Sequence, residues 1–267
     1  MAVVVLRIKS DRAVFRMPDP RGLPAAARDV LAGVWAYRAN AEREAQARFA
    51  RLAGDLLEVG SPAEAVLLAE RAVADEEHHA KLCRELATTY GNIPAELQVV
   101  DAAPLGPHRL NRRARVLYET VAFCCITETL NTALMKVCGD AARVPEARVA
   151  LRAIMRDEVR HSKIGWAHLC HERSHAGFIA ELVPSMLAGA VREELFAPAP
   201  KHACANVLRD HGELSESERI EVFDSSVRDV IAPGLKAYGV DTRPLWEWVC
   251  HMRAGGTSKA KDVAYAI

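Results

Sequence analysis

Two short motifs combine a carboxylate and an imidazole at a spacing that suits metal binding. Glu76-Glu77-His78-His79 and Glu158-Val159-Arg160-His161 each place a histidine three residues after a glutamate. On a helix, such residues lie one turn apart on the same face. Two such pairs, completed by one glutamate from each of two further helices, can hold two iron or manganese ions. A single match is weak evidence, because the chain has ten histidines and also contains Glu172-x-x-His175.

The helical neighbours of the first two motifs separate them from chance matches. At about 100° per residue, Glu76 shares its face with Ala72 and Cys83, and Glu158 shares its face with Leu151. Both motifs therefore lie within apolar stripes. Burying an unpaired carboxylate is costly, so each glutamate is predicted to have a buried partner.

The same test selects one glutamate in each of the other two predicted helices. Glu42 shares its face with the apolar Trp35, whereas Glu44 points the other way. In the third predicted helix, Glu128 lies on the apolar face and Glu119 lies opposite. Glu42 and Glu128 are therefore the predicted ligands from these helices.

The positions of these glutamates along their helices also match in pairs. Residues equidistant from a turn lie side by side in an antiparallel helix pair. Glu42 and Glu76 are centred on residue 59, and Glu128 and Glu158 are centred on residue 143, both at predicted turns. Glu172 fails this test. The six candidate ligands are Glu42, Glu76, His79, Glu128, Glu158 and His161.

Prolines and glycines divide the chain into elements that can position these residues. They predict an all-α fold with long helices over about 24–57, 62–89, 111–138 and 145–175. Two of the connections are tight and the middle one, over 91–110, is long. This order predicts a four-helix bundle with up-down, long crossover, up-down connectivity.

Three segments follow from these elements. Residues 1–23 form an N-terminal extension whose runs at 3–8 and 13–17 favour a short β-hairpin. Residues 24–175 form the bundle, and residues 176–267 form a C-terminal helical extension packed on it. Further helical patterns lie near 178–195, 201–211, 215–238 and 242–253.

Composition excludes several classes of protein. The 267 residues carry 35 basic and 35 acidic side chains, and this zero net charge argues against binding to nucleic acid or to a membrane surface. No run of about 18 apolar residues is present to span a membrane. Seven scattered cysteines, without a Cys-x-x-Cys pair, favour a reduced, cytoplasmic protein.

The order Glu, Glu-x-x-His, Glu, Glu-x-x-His, at intervals of 34, 52 and 30 residues, resembles the ferritin-like di-iron carboxylate superfamily. The resemblance covers about residues 24–175. It implies a ferritin-like four-helix bundle in which the six candidate ligands bind two irons, with manganese as the alternative metal. Reduced sites of this kind bind dioxygen. Some members then hydroxylate, desaturate or N-oxygenate a substrate, and others store iron or remove peroxide.

The C-terminal extension favours the oxidase or oxygenase branch over storage. The resemblance then implies a di-iron oxidoreductase, monomeric or homodimeric, that uses O2 and an electron donor to oxidise a small organic substrate. The alternative is an iron-storage, ferroxidase or peroxide-detoxifying protein. A carrier protein is a second candidate substrate, for which Arg109, Arg112, Arg113 and Arg115 would form a docking patch. The alternative interpretation of these arginines is a solvated start of the third helix.

Two aspartates precede the glutamates of the motifs. Asp157 is a candidate to accept a hydrogen bond from the second nitrogen of a ligand histidine, which would fix its tautomer. Asp75 has the same position in the other motif, and Arg160 is a candidate to pair with either carboxylate. A role at the surface is the alternative for each aspartate.

Overall fold

A computed structural model describes residues 16–91, 102–191 and 204–254, and this part of the chain is helical and contains no strand. The predicted hairpin falls almost entirely on residues outside these ranges. The first helices are α1 (Ala25–Glu58), α2 (Ala63–Gly91), α3 (Arg112–Thr120), α4 (Glu128–Ala141) and α5 (Pro145–His171). A π-helical turn, Val121–Thr127, joins α3 and α4 into one continuous helix.

Each of these helices begins or ends where the sequence predicts. Gly60 has a φ of 73°, a left-handed conformation that favours glycine, and it ends the turn after α1. The side chain of Asn111 accepts a hydrogen bond from the backbone N–H of Ala114 and so caps α3. Pro145 occupies the first turn of α5, where its missing N–H costs nothing.

The long helices pack against one another around a shared apolar interior. α1 packs along α2, α5 packs against α2, α4 and the π turn, and α3 contacts α1. One part of the interior contains Trp35, Leu86 and Ile154, and another contains Phe49 and Phe123. The apolar stripes of the helices therefore face inwards, as expected for helices that bury one face.

The C-terminal region adds shorter helices to this core. They are the 3-10 segment Arg173–Leu182, α6 (Val183–Ala190), α7 (Ala205–Asp210), α8 (Glu216–Ser226), the π turn Val227–Ile231, α9 (Ala232–Ala237) and α10 (Arg243–Arg253). α6 packs on the first π turn, and α7 and α8 pack on α4. The predicted fourth helix continues to residue 175, whereas α5 ends at His171 and the chain tightens into the 3-10 segment.

Among the described residues, one helix is long and apolar enough to cross a membrane by length and composition alone. This helix is Arg112–Ala141, and 61% of its most apolar window is buried inside the protein. Such burial is typical of the core helix of a soluble protein.

A buried histidine near the end of α5 makes stability depend on pH. His168 is fully buried, and its Nδ1 lies 2.9 Å from the Ser61 hydroxyl. Burial lowers the pKa of His168 to about 4 from an ordinary 6.5, so the unfolded chain binds a proton there before the folded chain does. This group should therefore lower the free energy of unfolding by about 3 kcal/mol as the pH falls from about 6.5 to about 4.

The comparison variant is His168→Gln, which does not titrate. Denaturant unfolding of both proteins between pH 8 and pH 4 should show a shallower loss of stability in the variant. At pH 8 the imidazole is neutral in both states, so the difference there measures changes in packing and in the contact with Ser61. Parallel profiles for the two proteins across the whole range would rule out this origin of acid sensitivity.

Candidate metal centre

All six candidate ligands come together in the interior, between α1, α2, α4 and α5. The most exposed of them, Glu42, is 7% exposed. They form two groups of four in which the ligand atoms lie within 4.8 Å of one another. One group consists of Glu42, Glu76, His79 and Glu158. The other consists of Glu76, Glu128, Glu158 and His161. Glu76 and Glu158 therefore belong to both groups. We call these six residues the six-residue cluster.

Both imidazoles turn the same nitrogen towards the carboxylates. Nδ1 of His79 lies 3.1 Å from Oε2 of Glu76 and 3.5 Å from Oε1 of Glu158. Nδ1 of His161 lies 2.9 Å from Oε1 of Glu76 and 3.0 Å from Oε2 of Glu158. Nδ1 is therefore the nitrogen that each histidine offers to a bound ion.

The shared glutamates each keep one buried oxygen without a hydrogen-bond partner. These atoms are Oε1 of Glu76 and Oε1 of Glu158. His161 lies close to the first of them, but the contact lacks hydrogen-bond geometry. A buried acceptor without a donor is costly, and a cation would satisfy both atoms. Carboxylate and imidazole donors suit iron and manganese, and four carboxylates balance two divalent ions. The residues present therefore fit a two-metal site.

The second nitrogen of each imidazole is held by an aspartate from the opposite motif. Nε2 of His79, on α2, donates to Oδ2 of Asp157 on α5 at 3.3 Å, and Nε2 of His161, on α5, faces Oδ2 of Asp75 on α2 at 3.5 Å. Arg160 donates to both aspartates, at 2.6 Å to Asp157 and 3.0 Å to Asp75. With a metal ion bound at Nδ1, these contacts would keep the remaining ring proton on Nε2. The two aspartates therefore support the cluster instead of facing solvent.

Two carboxylates of the cluster, Glu76 and Glu128, favour the protonated form when no cation is present. Burial raises the pKa of Glu76, and the nearby charge of Glu42 raises it further. Burial also raises the pKa of Glu128 well above its usual range, and the charge of Glu158 adds to this effect. A divalent cation would replace these protons, so metal binding is expected to release protons and to strengthen as the pH rises.

The imidazoles also favour the protonated form, although burial opposes it. Burial acts to lower the pKa of His79, but hydrogen bonds that the imidazole donates to Asp157 and to the cluster glutamates raise it well above its ordinary value. The pKa of His161 is also raised above its ordinary value in spite of burial, and the charge of Glu76 is the main cause. The pKa of Asp157 falls below its ordinary value despite burial, because His79 and Arg160 stabilise its charge.

Replacing Asp157 by asparagine tests this support. An amide can donate a hydrogen bond to Nε2 of His79 and can thereby favour the tautomer that places a proton on the metal-facing nitrogen. Loss of such a partner weakens metal binding by roughly 10- to 100-fold. Competition with a coloured chelator for Co2+ measures the affinity. The exposed Asp140, which pairs with Lys136, gives the matched control Asp140→Asn. Equal affinities in Asp157→Asn and the control would show that Asp157 does not support the ligand.

The π turn places Glu119 in a buried ion pair, although the phase of a regular helix predicts that it lies opposite the apolar face. Along a straight α-helix, Glu119 and Glu128 lie about half a turn apart, but the extra residue of a π turn reduces the angle to about 80°. Glu119 is therefore turned inwards and is 1% exposed. It accepts hydrogen bonds from Arg48 Nη1 at 3.1 Å and from Arg51. Glu119 thus links α3 to α1 and does not join the cluster.

The third Glu-x-x-His motif lies elsewhere. Glu172 is fully buried and accepts a hydrogen bond from Arg113 Nε at 2.8 Å, and His175 Nδ1 lies 3.6 Å away. Arg112 also pairs with acidic residues, Asp55 and Glu58 of α1. Two of the four arginines in the predicted basic cluster are therefore engaged in ion pairs.

A cavity of about 350 Å³ opens onto one side of the cluster. It reaches Glu42 and Glu128, the two carboxylates that belong to a single group each. Its walls come from α1, α3, the π turn, α4 and α6, and include Ala41, Ala45, Ala122, Phe123, Met135, Ser185, Met186, Gly189 and Ala190. The contribution of α6 could not be predicted from the sequence, because it depends on how the C-terminal region folds back.

All seven cysteines lie among the described residues and are free. Cys83, Cys124 and Cys125 are fully buried, and burial raises the pKa of each thiol well above its ordinary value. They therefore behave as small apolar side chains of the core. Comparison of the chain with protein-family models, with curated proteins and with solved structures found no match.

Proposed function

We propose that this chain is a ferritin-like four-helix-bundle protein that binds two iron ions and uses dioxygen to oxidise a small organic substrate. The observation that carries the proposal is the sharing of Glu76 and Glu158 between two buried groups of potential ligands. Chance pairing of acidic and basic residues seldom buries four carboxylates and two imidazoles without a matching number of cations.

Each residue of the cluster has a definite task in this proposal. Glu76 and Glu158 would contact both ions, and the remaining four residues would complete one ion each. Asp75 and Asp157 would keep the imidazoles in place through their Nε2 atoms. Phe49, whose ring centroid lies 5.1 Å from that of His161, helps to exclude water.

The chemistry requires an electron source as well as dioxygen. Two bound ferrous ions would supply the electrons with which dioxygen is first reduced. In a hydroxylation, one oxygen atom enters a C–H bond and the other leaves as water, which consumes two protons and two electrons from an external donor. The cavity supports a substrate-oxidising role, because it brings space for an organic molecule to Glu42 and Glu128.

Oxygen uptake tests the proposal. Anaerobic titration with ferrous iron should load two ions per chain, and an oxygen electrode should then record uptake far faster than that of free ferrous iron. The metal-free chain is the control. If the purified chain retains less than one metal ion, or if loaded and free iron consume oxygen at the same rate, the proposal is wrong.

Storage of iron is the alternative outcome of the same experiment. A storage protein assembles into a large hollow shell and continues to take up iron far beyond two ions per chain. Gel filtration and iron analysis after repeated additions of iron and oxygen separate the two functions. A monomer or dimer that saturates at two ions supports the oxidase, and a shell with continued uptake supports storage.

A further inference from the structure

We infer that the cavity takes a slender, neutral, mostly apolar molecule that lies along α1 and presents its middle, instead of its end, to the six-residue cluster. This inference rests on the proposed function and specifies its substrate class. It is carried by the length of the cavity, its width, the chemistry of its walls and the position of the cluster along it.

The length follows from the residues of α1 that line the cavity. They run from Tyr37 to Arg48 and include Arg38, Ala41, Glu42, Glu44 and Ala45. At 1.5 Å per residue, this stretch measures about 16 Å. Glu42 lies near its centre, so the cavity extends about 8 Å from the cluster in each direction.

The width follows from the volume. A cavity of about 350 Å³ is a little more than twice the cavity of about 150 Å³ that holds a single benzene ring. By this comparison it holds about 14 non-hydrogen atoms. A molecule of that size that reaches along all of the lining stretch of α1 must be a single extended chain.

The walls favour a neutral molecule. Carbon surfaces of Ala45, Phe123 and Met186 line the cavity. The cationic side chains at its two ends already have carboxylate partners. Arg38 donates to Glu213 at 3.3 Å, and Arg48 donates to Glu119 at 3.1 Å. An anionic group on the substrate would have to compete with these pairs.

Gly189 of α6 lines the cavity at its exposed rim. A Cβ atom built on Gly189 meets nothing within 4 Å, so a larger side chain can be accommodated there without disturbing the fold. Such a side chain would take up space that the substrate uses. Gly177 has the same open surroundings but does not line the cavity. Gly189→Leu and Gly177→Leu are therefore a matched pair of variants.

The experiment uses the full chain loaded with Co2+ and the probe 1,10-decanediol, a neutral, symmetric chain of suitable length. Paramagnetic relaxation falls with the sixth power of the distance from the metal. The inner methylene protons should therefore relax at least about tenfold faster than the terminal CH2OH protons, which lie several ångströms farther along α1. The Zn2+-loaded chain gives the diamagnetic reference. Gly189→Leu should weaken diol binding by about tenfold, and Gly177→Leu should leave it unchanged.

Each outcome decides one question. Metal analysis of the same sample comes first, and fewer than one cobalt per chain would overturn the proposed function itself. Two cobalt ions with fastest relaxation at the CH2OH ends, or with no diol binding, would overturn only the inference about the substrate. Equal loss of diol affinity in both glycine variants would also overturn it.

Discussion

Replacing Glu76 by alanine is expected to remove both metal ions from the chain. This glutamate belongs to both groups of ligands, and its side chain is fully buried against His79 and His161. Its loss takes one oxygen donor from each ion and leaves two buried imidazoles without their nearest carboxylate. Metal content, measured by elemental analysis after exposure to a weak chelator, should fall from two ions per chain to fewer than one.

The neighbouring residue provides the control. Glu77 is exposed and pairs with Lys81 on the surface of α2, so Glu77→Ala should retain two ions. Glu172→Gln provides a second control, because Glu172 belongs to the motif that lies outside the cluster. If Glu76→Ala keeps both ions, or if Glu77→Ala loses them equally, the assignment of the shared ligands fails.

Replacing Glu119 by alanine is expected to destabilise the fold by about 3 kcal/mol, the lower end of the usual cost of removing one partner from a buried ion pair. Glu119 accepts hydrogen bonds from Arg48 and Arg51 and also from the backbone N–H of Leu105 at 3.3 Å. Its removal takes the buried carboxylate from both arginines, which keep only their partners within α1, Glu44 and Asp55, and contacts with backbone carbonyl groups. Urea denaturation of the metal-free chain measures the free energy of unfolding without a contribution from bound metal.

Glu44 gives the matched comparison for this second prediction. It pairs with the same Arg48 at 2.8 Å, but its side chain is 55% exposed. Exposed pairs contribute up to about 1 kcal/mol, so Glu44→Ala should be far milder than Glu119→Ala. Similar losses in the two variants would mean that burial of Glu119 is not the source of its importance.

The sequence predicts the helices and the ligands for reasons that are local. Proline and glycine residues act within a few positions of a helix end, so Gly60 and Pro145 mark boundaries that the structure confirms. The six residues of the cluster could be selected from the sequence because each of them interrupts an apolar stripe. Two glutamates of an antiparallel helix pair could then be matched by their equal distances from the turn. This required only that the turn be tight, as it is between Glu42 and Glu76.

Other features depend on information that is not local. The π turn at Val121–Thr127 gives no clear signal in composition, so the buried position of Glu119 could not be predicted from the phase of a regular helix. Asp75 lies beside the histidine of α5, and Asp157 lies beside the histidine of α2. This exchange depends on how α2 and α5 pack against each other. The role of α6 in the cavity depends on the packing of the C-terminal region against the π turn.

The sharing of two glutamates means that the two proposed metal positions cannot be independent. If the chain binds two ions as proposed, each ion would draw on the charge of Glu76 and Glu158, so the affinity of one position would depend on whether the other is filled. Chains given half the metal that they can hold would show the sign of this coupling in the proportions of empty, half-filled and full molecules.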